Sequence, residues 1–124
     1  MKKIMIVDDQ EMKRFIVKAQ LESTKYEFDI YEANDGKEAL EGFDEFQPDL
    51  IVSDLNMPRI NGVELYKEII HIRLSNIPII IFTSCQSDDL LVKEIITLGA
   101  THIFKGSFES KVFIESVKEL LNLK

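Results

Sequence analysis

Short apolar runs alternate with longer amphipathic stretches along the chain, and this alternation constrains the fold more than any other sequence feature. The segment Ile79–Phe82 is apolar without a break, which is typical of a strand buried on both faces of a sheet. The five apolar runs are Ile4–Val7, Phe28–Ala33, Leu50–Ser53, Pro78–Thr83 and Thr101–Phe104. The sequence therefore predicts five strands separated by helical segments.

The stretches between the runs carry apolar residues at the spacing of one helix face. These residues are Leu65, Ile69 and Ile72, then Leu91, Ile95 and Leu98, then Phe113, Val117, Leu120 and Leu121. The start of a helix is indicated at Asn34-Asp35-Gly36, at Asn61-Gly62 and at Ser87 to Asp89. Gly99 indicates a helix end, and a last helix is expected over 108–123.

Strands that alternate with helices predict a parallel sheet covered by helices on both faces. The fold class is therefore α/β, with a doubly wound, five-stranded parallel sheet. The 124 residues fit one domain.

Charge and composition exclude several classes of function. The net charge of −7 argues against direct binding to nucleic acid or to an anionic membrane, since both favour clustered positive charge. No apolar run approaches the roughly 20 residues that cross a bilayer, and no export signal opens the chain. One cysteine, Cys85, cannot form an internal disulfide. These features predict a cytoplasmic protein.

Polar residues that can carry chemistry follow four of the predicted strands. Asp8 and Asp9 come after the first strand, Asp54 ends the third, Thr83 ends the fourth and Lys105 follows the fifth. Ligands of such sheets bind at the carboxyl ends of the strands. Three close carboxylates repel one another unless a cation compensates, and Mg²⁺ with oxygen ligands is the simplest cation. A lysine and a hydroxyl opposite the metal suit a phosphate, and an Asp there could attack a phosphoryl group.

Four motifs carry a resemblance to a known family. They are Ile6-Val7-Asp8-Asp9, the segment from Asp54 to Gly62, Phe82-Thr83-Ser84 and Phe104-Lys105. With these motifs in this order, the chain resembles the receiver domain of two-component response regulators over essentially its full length. The resemblance implies a flavodoxin-like sheet with strand order 2-1-3-4-5.

The resemblance also implies a phosphorylation site. Asp54 would be the phosphoryl acceptor and would become an aspartyl phosphate. Mg²⁺ would be bound by the carboxylates of Asp9 and Asp54, by Asp8 through a water molecule, and by the backbone carbonyl of Asn56. The phosphoryl donor would be a phosphohistidine on a sensor histidine kinase or on a histidine phosphotransfer protein.

A conformational switch comes with the same resemblance. Lys105 and Thr83 would each contact a phosphoryl oxygen, and the Thr83 hydroxyl would move toward the phosphoryl group. An aromatic residue three positions before the lysine, here His102, would turn into the vacated space. This change would alter the surface of the fourth helix, fifth strand and fifth helix, to which an unidentified downstream protein would bind. Transient dimers through the last helices are also implied.

Two departures bear on these expectations. The family usually has proline after its lysine, whereas here Gly106 follows Lys105. The positions two residues after Asp54 and Thr83 tune dephosphorylation in the family, and they are Asn56 and Cys85 here.

The leading hypothesis is a phosphorelay signalling switch that is not an enzyme beyond its own phosphorylation and dephosphorylation. The chain would be a single receiver domain, 1–124, with no output domain, although a receiver cut from a longer regulator would have the same sequence. One alternative is a pseudo-receiver that docks to partners without phosphorylation, but such modules commonly lose an acidic residue or the lysine. The other is an Asp-nucleophile phosphohydrolase, whose Asp-x-Asp pattern is absent because Gln10 follows Asp8-Asp9.

Overall fold

Five parallel strands form one sheet in the order β2-β1-β3-β4-β5, which confirms the predicted order. The computed structural model describes residues 1–83, 89–105 and 110–124. The strands are β1 (Lys2–Val7), β2 (Phe28–Ala33), β3 (Leu50–Asp54), β4 (Ile79–Thr83) and β5 (His102–Lys105). Each strand lies within two residues of the apolar run that predicted it.

Helices cover both faces of the sheet. They are α1 (Glu11–Glu22), α2 (Gly36–Phe46), α3 (Gly62–Tyr66), α4 (Asp89–Thr97) and α5 (Ser110–Leu120). Helices α1 and α5 pack on one face, where Val17 and Phe113 are buried against Ile4 and Val52. Helices α2, α3 and α4 pack on the other face. The fold is therefore doubly wound, as predicted.

Strand β3 is buried along its whole length because helices cover it on both sides and strands β1 and β4 flank it. This burial explains why Leu50–Ser53 is apolar apart from the final serine. Strand β2 lies at the edge of the sheet and is only half-buried, which explains its mixed composition. Asp54 thus stands at the end of the most enclosed strand in the sheet.

Side-chain caps begin two helices where the sequence predicts them. The Asp35 carboxylate accepts the Glu38 N–H at 2.9 Å at the start of α2. Asn61 and Glu64 form a reciprocal capping box at the start of α3, with N–H to oxygen distances of 2.9 and 3.0 Å. Gly99 follows α4 with φ of 111°, a conformation that favours glycine.

The helical pattern around Ile72 was misread. Ile72 was predicted on the buried face with Leu65 and Ile69, but it is 60% exposed. The reason is that α3 continues as a π-helical segment, Lys67–Ile72, in which each residue turns through a smaller angle than in an α-helix. The smaller angle rotates Ile72 away from the core while Ile69 stays buried.

The last helix is shorter than predicted. Helix α5 ends at Leu120, and Asn122 has a φ of 55°, which stops the helix before the expected residue 123. The expected start at 108 and the predicted acidic helix start at Ser87 and Asp88 lie outside the described residues. Among the described residues, no helix is long and apolar enough to span a membrane.

Leu74, two residues after the π-helical segment, has a strained backbone conformation, which gives a test of this geometry. Its φ is 56° and its side chain is 80% exposed. We expect Leu74→Gly to stabilise the fold by about 0.5–1 kcal/mol, because glycine adopts this conformation without the steric cost that a Cβ brings. Equilibrium urea unfolding measures the change.

Ile72→Gly is the matched control, since it also removes an exposed aliphatic side chain, but from within the helix. It should destabilise by about 1 kcal/mol. Equal effects of the two substitutions would contradict the assigned backbone conformation at Leu74.

Candidate functional site

Three carboxylates meet at the carboxyl edge of the sheet. Oxygen atoms of Asp8, Asp9 and Asp54 lie within 4.8 Å of one another. Asp8 and Asp54 are buried, whereas Asp9 is exposed. The pairing of Val7 with Ser53 in neighbouring strands brings the three together, because Asp8 and Asp9 are the first two residues after β1 and Asp54 ends β3.

Backbone groups hold the two buried carboxylates. The Gln10 N–H donates to Asp8 Oδ1 at 2.9 Å, and the Leu55 N–H donates to Asp54 Oδ1 at 2.8 Å. The Asp8 N–H in turn donates to the Ala33 carbonyl at 3.1 Å, which extends the pairing of β1 with β2. One oxygen of each buried carboxylate is thus fixed in direction, and this also sets where the second oxygen points.

The electrostatics of the cluster favour a cation. Burial, and then the charge of Asp8, raises the pKa of Asp54 to about 6. Burial likewise raises the pKa of Asp8 above its usual value. Both shifts mean that the ionised carboxylates lack the solvation they would have in water. The donors are all hard oxygen atoms, which fits Mg²⁺.

Loop 55–61 after Asp54 is closed by a tight backbone contact. The Gly62 N–H donates to the Leu55 carbonyl at 2.8 Å. A Cβ at position 62 would lie 2.5 Å from the Asp54 carbonyl oxygen, so only glycine fits there. Asn56 lies on this loop and is exposed. Its expected role, a metal ligand through its carbonyl, stays a prediction.

The same loop is joined to the turn that precedes α2, a connection that sequence reasoning missed. The Arg59 Nε donates to the Asp35 carboxylate, and the Gly36 N–H donates to the Ile60 carbonyl at 3.0 Å. Burial tends to raise the pKa of Asp35, but the Arg59 bond and the cap on Glu38 outweigh it and lower that pKa. The sequence marked Asp35 only as a turn and helix cap, since nothing local indicates its distant partner.

Thr83 and Lys105 lie at the same edge of the sheet as the acidic cluster. They are opposite each other in the register of β4 and β5, one position beyond the pairing of Asp54 with Phe82. Thr83 is buried and Lys105 is exposed. The structure therefore brings a hydroxyl and an ammonium group to the edge where the sequence expected them.

His102 lies at the beginning of β5, opposite Ile80. It lies three positions before Lys105, which corresponds to about 10 Å along a strand. The half-buried ring has its Nδ1 3.0 Å from the Thr101 hydroxyl, and it borders a cavity of about 160 Å³ that Tyr66 and Leu120 also line. The cavity offers space beside the ring.

Cys85 and Gly106, the other two residues singled out from the sequence, lie outside the described residues.

Sequence reasoning also missed Arg14, which reaches the acidic cluster from α1. Its Nη1 donates to the backbone carbonyl of Asp8 at 2.7 Å. The sequence indicated only that a cationic residue lies one helical turn after the start of α1. This is a weak sign of a role in the site, because such residues more often lie on a solvated helix face.

Comparisons with known proteins agree with this fold and show the family of the chain. The family model of the response regulator receiver domain matches residues 4–118, and the chain belongs to this family. It is 32% identical to the chemotaxis protein CheY of Thermotoga maritima, over 96% of this chain and 97% of that protein. The solved structure of Vibrio cholerae CheY4 superimposes with a TM-score of 0.80 at 27% identity, covering 98% of this chain and 99% of that one.

A third relative is longer than this chain. The transcriptional regulatory protein YdfI of Bacillus subtilis is 40% identical over 91% of this chain, which spans 52% of the length of YdfI. The function of the chain follows from the family: it is a CheY-like phosphoacceptor receiver domain of two-component signalling.

The raised pKa of Asp54 predicts a pH dependence of stability in the metal-free protein. Because the folded pKa of about 6 exceeds the unfolded value near 4, the folded state binds more protons between these values. Stability should therefore fall as pH rises from about 4 to about 6. Asp54→Asn removes this cost, so we expect the variant to be more stable than wild type by about 2–3 kcal/mol at pH 7. Urea unfolding in the presence of a chelator measures it.

Asp44→Asn is the control, because Asp44 is an exposed carboxylate on α2 whose side chain is 84% accessible. It should show no comparable gain at pH 7. A stability difference between Asp54→Asn and wild type that stays constant from pH 4 to pH 7 would contradict the raised pKa.

Proposed function

We propose that Asp54 accepts a phosphoryl group from a phosphohistidine of a sensor histidine kinase or a histidine phosphotransfer protein. The observation that carries the proposal is the cluster of Asp8, Asp9 and Asp54 at the end of the central strands, with Thr83 and Lys105 at the same edge. In this transfer an Asp54 oxygen forms a bond to phosphorus, and the bond from phosphorus to the imidazole nitrogen breaks. The bonding electron pair leaves with the imidazole.

Asp8, Asp9, Asp54 and the carbonyl of Asn56 would hold Mg²⁺ in this proposal. The bound ion would neutralise the charge that gathers when a phosphate meets three carboxylates. The protein's own residues would contribute by positioning the nucleophile and the hydrogen-bond donors around the phosphoryl group. The Leu55 N–H directs Asp54, and Lys105 and Thr83, which end neighbouring strands at the same sheet edge, would donate to phosphoryl oxygens.

The output of the switch is proposed to run through Thr83 and His102. Movement of the Thr83 hydroxyl toward the phosphoryl group would free space that the His102 ring can enter. Exposed apolar side chains of Leu90 and Ile96 on α4 and Val112 on α5 support a partner-binding surface near this path. A bias of about 1–3 kcal/mol between the two states is enough to regulate a partner.

Residues 1–124 are proposed to form one receiver domain that acts in the cytoplasm. Its downstream partner would be a protein rather than nucleic acid, since the chain is acidic. Phosphorylation-dependent dimers through the last helices would be a further level of regulation. Catalysis would be limited to its own phosphorylation and dephosphorylation.

Phosphorylation by acetyl phosphate tests the proposal on the intact chain. We expect a gain of one phosphoryl group that needs Mg²⁺ and is absent from Asp54→Asn, because the amide cannot act as the nucleophile. Intact-protein mass spectrometry measures the gain. Asp44→Asn, which removes an exposed carboxylate, should be phosphorylated like wild type.

Two results would count against the proposal. Binding of Mg²⁺ without phosphorylation, in a folded protein, would favour the docking module that never becomes phosphorylated. Continuous hydrolysis of a small phosphate ester, with no covalent form at Asp54, would favour the phosphohydrolase.

If Thr83 links the two events, a variant can accept the phosphoryl group at Asp54 and yet fail to pass the change on to the His102 ring. Thr83→Ala should still gain the phosphoryl group, but the NMR shift change of the His102 ring on beryllofluoride binding should be lost. The shift change should be lost because this variant lacks the Thr83 hydroxyl, which would link the phosphoryl group to the His102 ring. Thr97→Ala, at a hydroxyl on α4 that bonds its own helix, is the control and should keep the shift change. An unchanged His102 response in Thr83→Ala would refute the coupling.

A further inference from the structure

The Arg14 side chain connects Glu32 on the edge strand β2 with the backbone of Asp8 in the acidic cluster. Its Nη1 donates to the Asp8 carbonyl oxygen at 2.7 Å, and its Nε lies 3.1 Å from Glu32 Oε1 on β2. The side chain is only 11% exposed. A guanidinium group that is buried this far and bonded at both ends is fixed in place.

The bond from Arg14 acts on the peptide unit between Asp8 and Asp9. The carbonyl of Asp8 belongs to this planar unit, so fixing its oxygen fixes the orientation of the whole plane. The preceding peptide is fixed by the bond from the Asp8 N–H to the Ala33 carbonyl. Arg14 therefore holds the peptide plane from which the chain continues into Asp9.

Glu32 holds the guanidinium group in this position. It lies on β2 opposite Ile6, and its carboxylate is 3.8 Å from the Lys18 ammonium as well as bonded to Arg14. Lys18 is thus a second cation on the same helix that contacts the same carboxylate, and its side chain is 42% exposed. Only Arg14 also bonds the carbonyl of Asp8.

We propose that Arg14 is a positioning residue, which holds the Asp8–Asp9 peptide in the orientation that the acidic cluster needs to bind a divalent cation. The inference rests on the proposed function, since it concerns the same metal site. Partners that orient metal ligands in this way commonly contribute about 10–100-fold to metal affinity.

An electrostatic role and a positioning role of Arg14 predict opposite changes in Mg²⁺ affinity when Arg14 is removed, which makes the inference testable. A cation near the cluster repels Mg²⁺, so if Arg14 contributed charge alone, its removal would tighten metal binding. If Arg14 positions the peptide, its removal weakens metal binding.

The experiment is calorimetric titration of the full chain with Mg²⁺ at fixed ionic strength, comparing wild type, Arg14→Gln, Arg14→Lys and Lys18→Gln. We expect Arg14→Gln to weaken Mg²⁺ binding about tenfold. Arg14→Lys should not restore it, because an ammonium group cannot reproduce the two-point contact. Lys18→Gln removes the same charge from the same helix and should stay within about twofold of wild type or bind slightly tighter.

A metal-free readout separates positioning from general loss of stability. The backbone amide of Asp9 belongs to the peptide that Arg14 holds, so its NMR resonance should shift in Arg14→Gln and stay in place in Lys18→Gln. If Arg14→Gln fails to fold, Glu32→Ala replaces it, because alanine, unlike glutamine, cannot accept the bond from the Arg14 Nε. Its readout is the Asp9 amide resonance, which should shift, since the loss of an acidic charge would weaken Mg²⁺ binding whether or not Arg14 positions the peptide.

The outcomes separate the two proposals. Arg14→Gln binding Mg²⁺ as tightly as Lys18→Gln would overturn the positioning role alone. If Arg14→Gln does not fold, an Asp9 amide resonance that stays in place in Glu32→Ala would do the same. Wild type that binds Mg²⁺ but is not phosphorylated would overturn the proposed phosphorylation and leave the positioning role standing. Absence of Mg²⁺ binding by wild type would overturn both.

Discussion

The site depends on keeping the carboxylates of Asp8 and Asp54 close together and away from water. Such groups repel one another and lose solvation, so the fold must supply partners that offset both costs. Backbone N–H groups of Gln10 and Leu55, in the loops that follow the two strands, supply such partners. These hydrogen bonds do not neutralise the negative charge of the carboxylates. A bound cation would neutralise it.

The rigidity of this arrangement comes from the centre of the sheet. Strand β3 is buried over its whole length, and β1 beside it is buried from Ile4 onward. Two stiff neighbouring strands fix the separation of their ends, so the acidic residues cannot relax by moving apart. Asp9 and Lys105 are exposed and lie at the rim of the site, where they are accessible from solvent.

Most of the fold and the acidic cluster could be predicted from the sequence, because both follow from local signals. Apolar runs marked the strands, and polar residues at their ends marked the site. The contacts of Arg14 with Glu32 and of Arg59 with Asp35 could not be predicted, since they join side chains 18 and 24 positions apart. Ile72 was misplaced because nothing in its spacing distinguishes a π-helical turn from an α-helical one.

The bridge between loop 55–61 and the turn before α2 has an evolutionary consequence. A Cβ at Gly36 would lie 2.4 Å from the Ile60 carbonyl oxygen, and Arg59 pairs with Asp35 beside it. Two βα units that are far apart in the chain are therefore not free to diverge independently at these positions. Among descendants of this sequence, a change at Asp35 should be accompanied by a change at Arg59, whereas Gly36 should resist replacement for as long as the loop keeps its length.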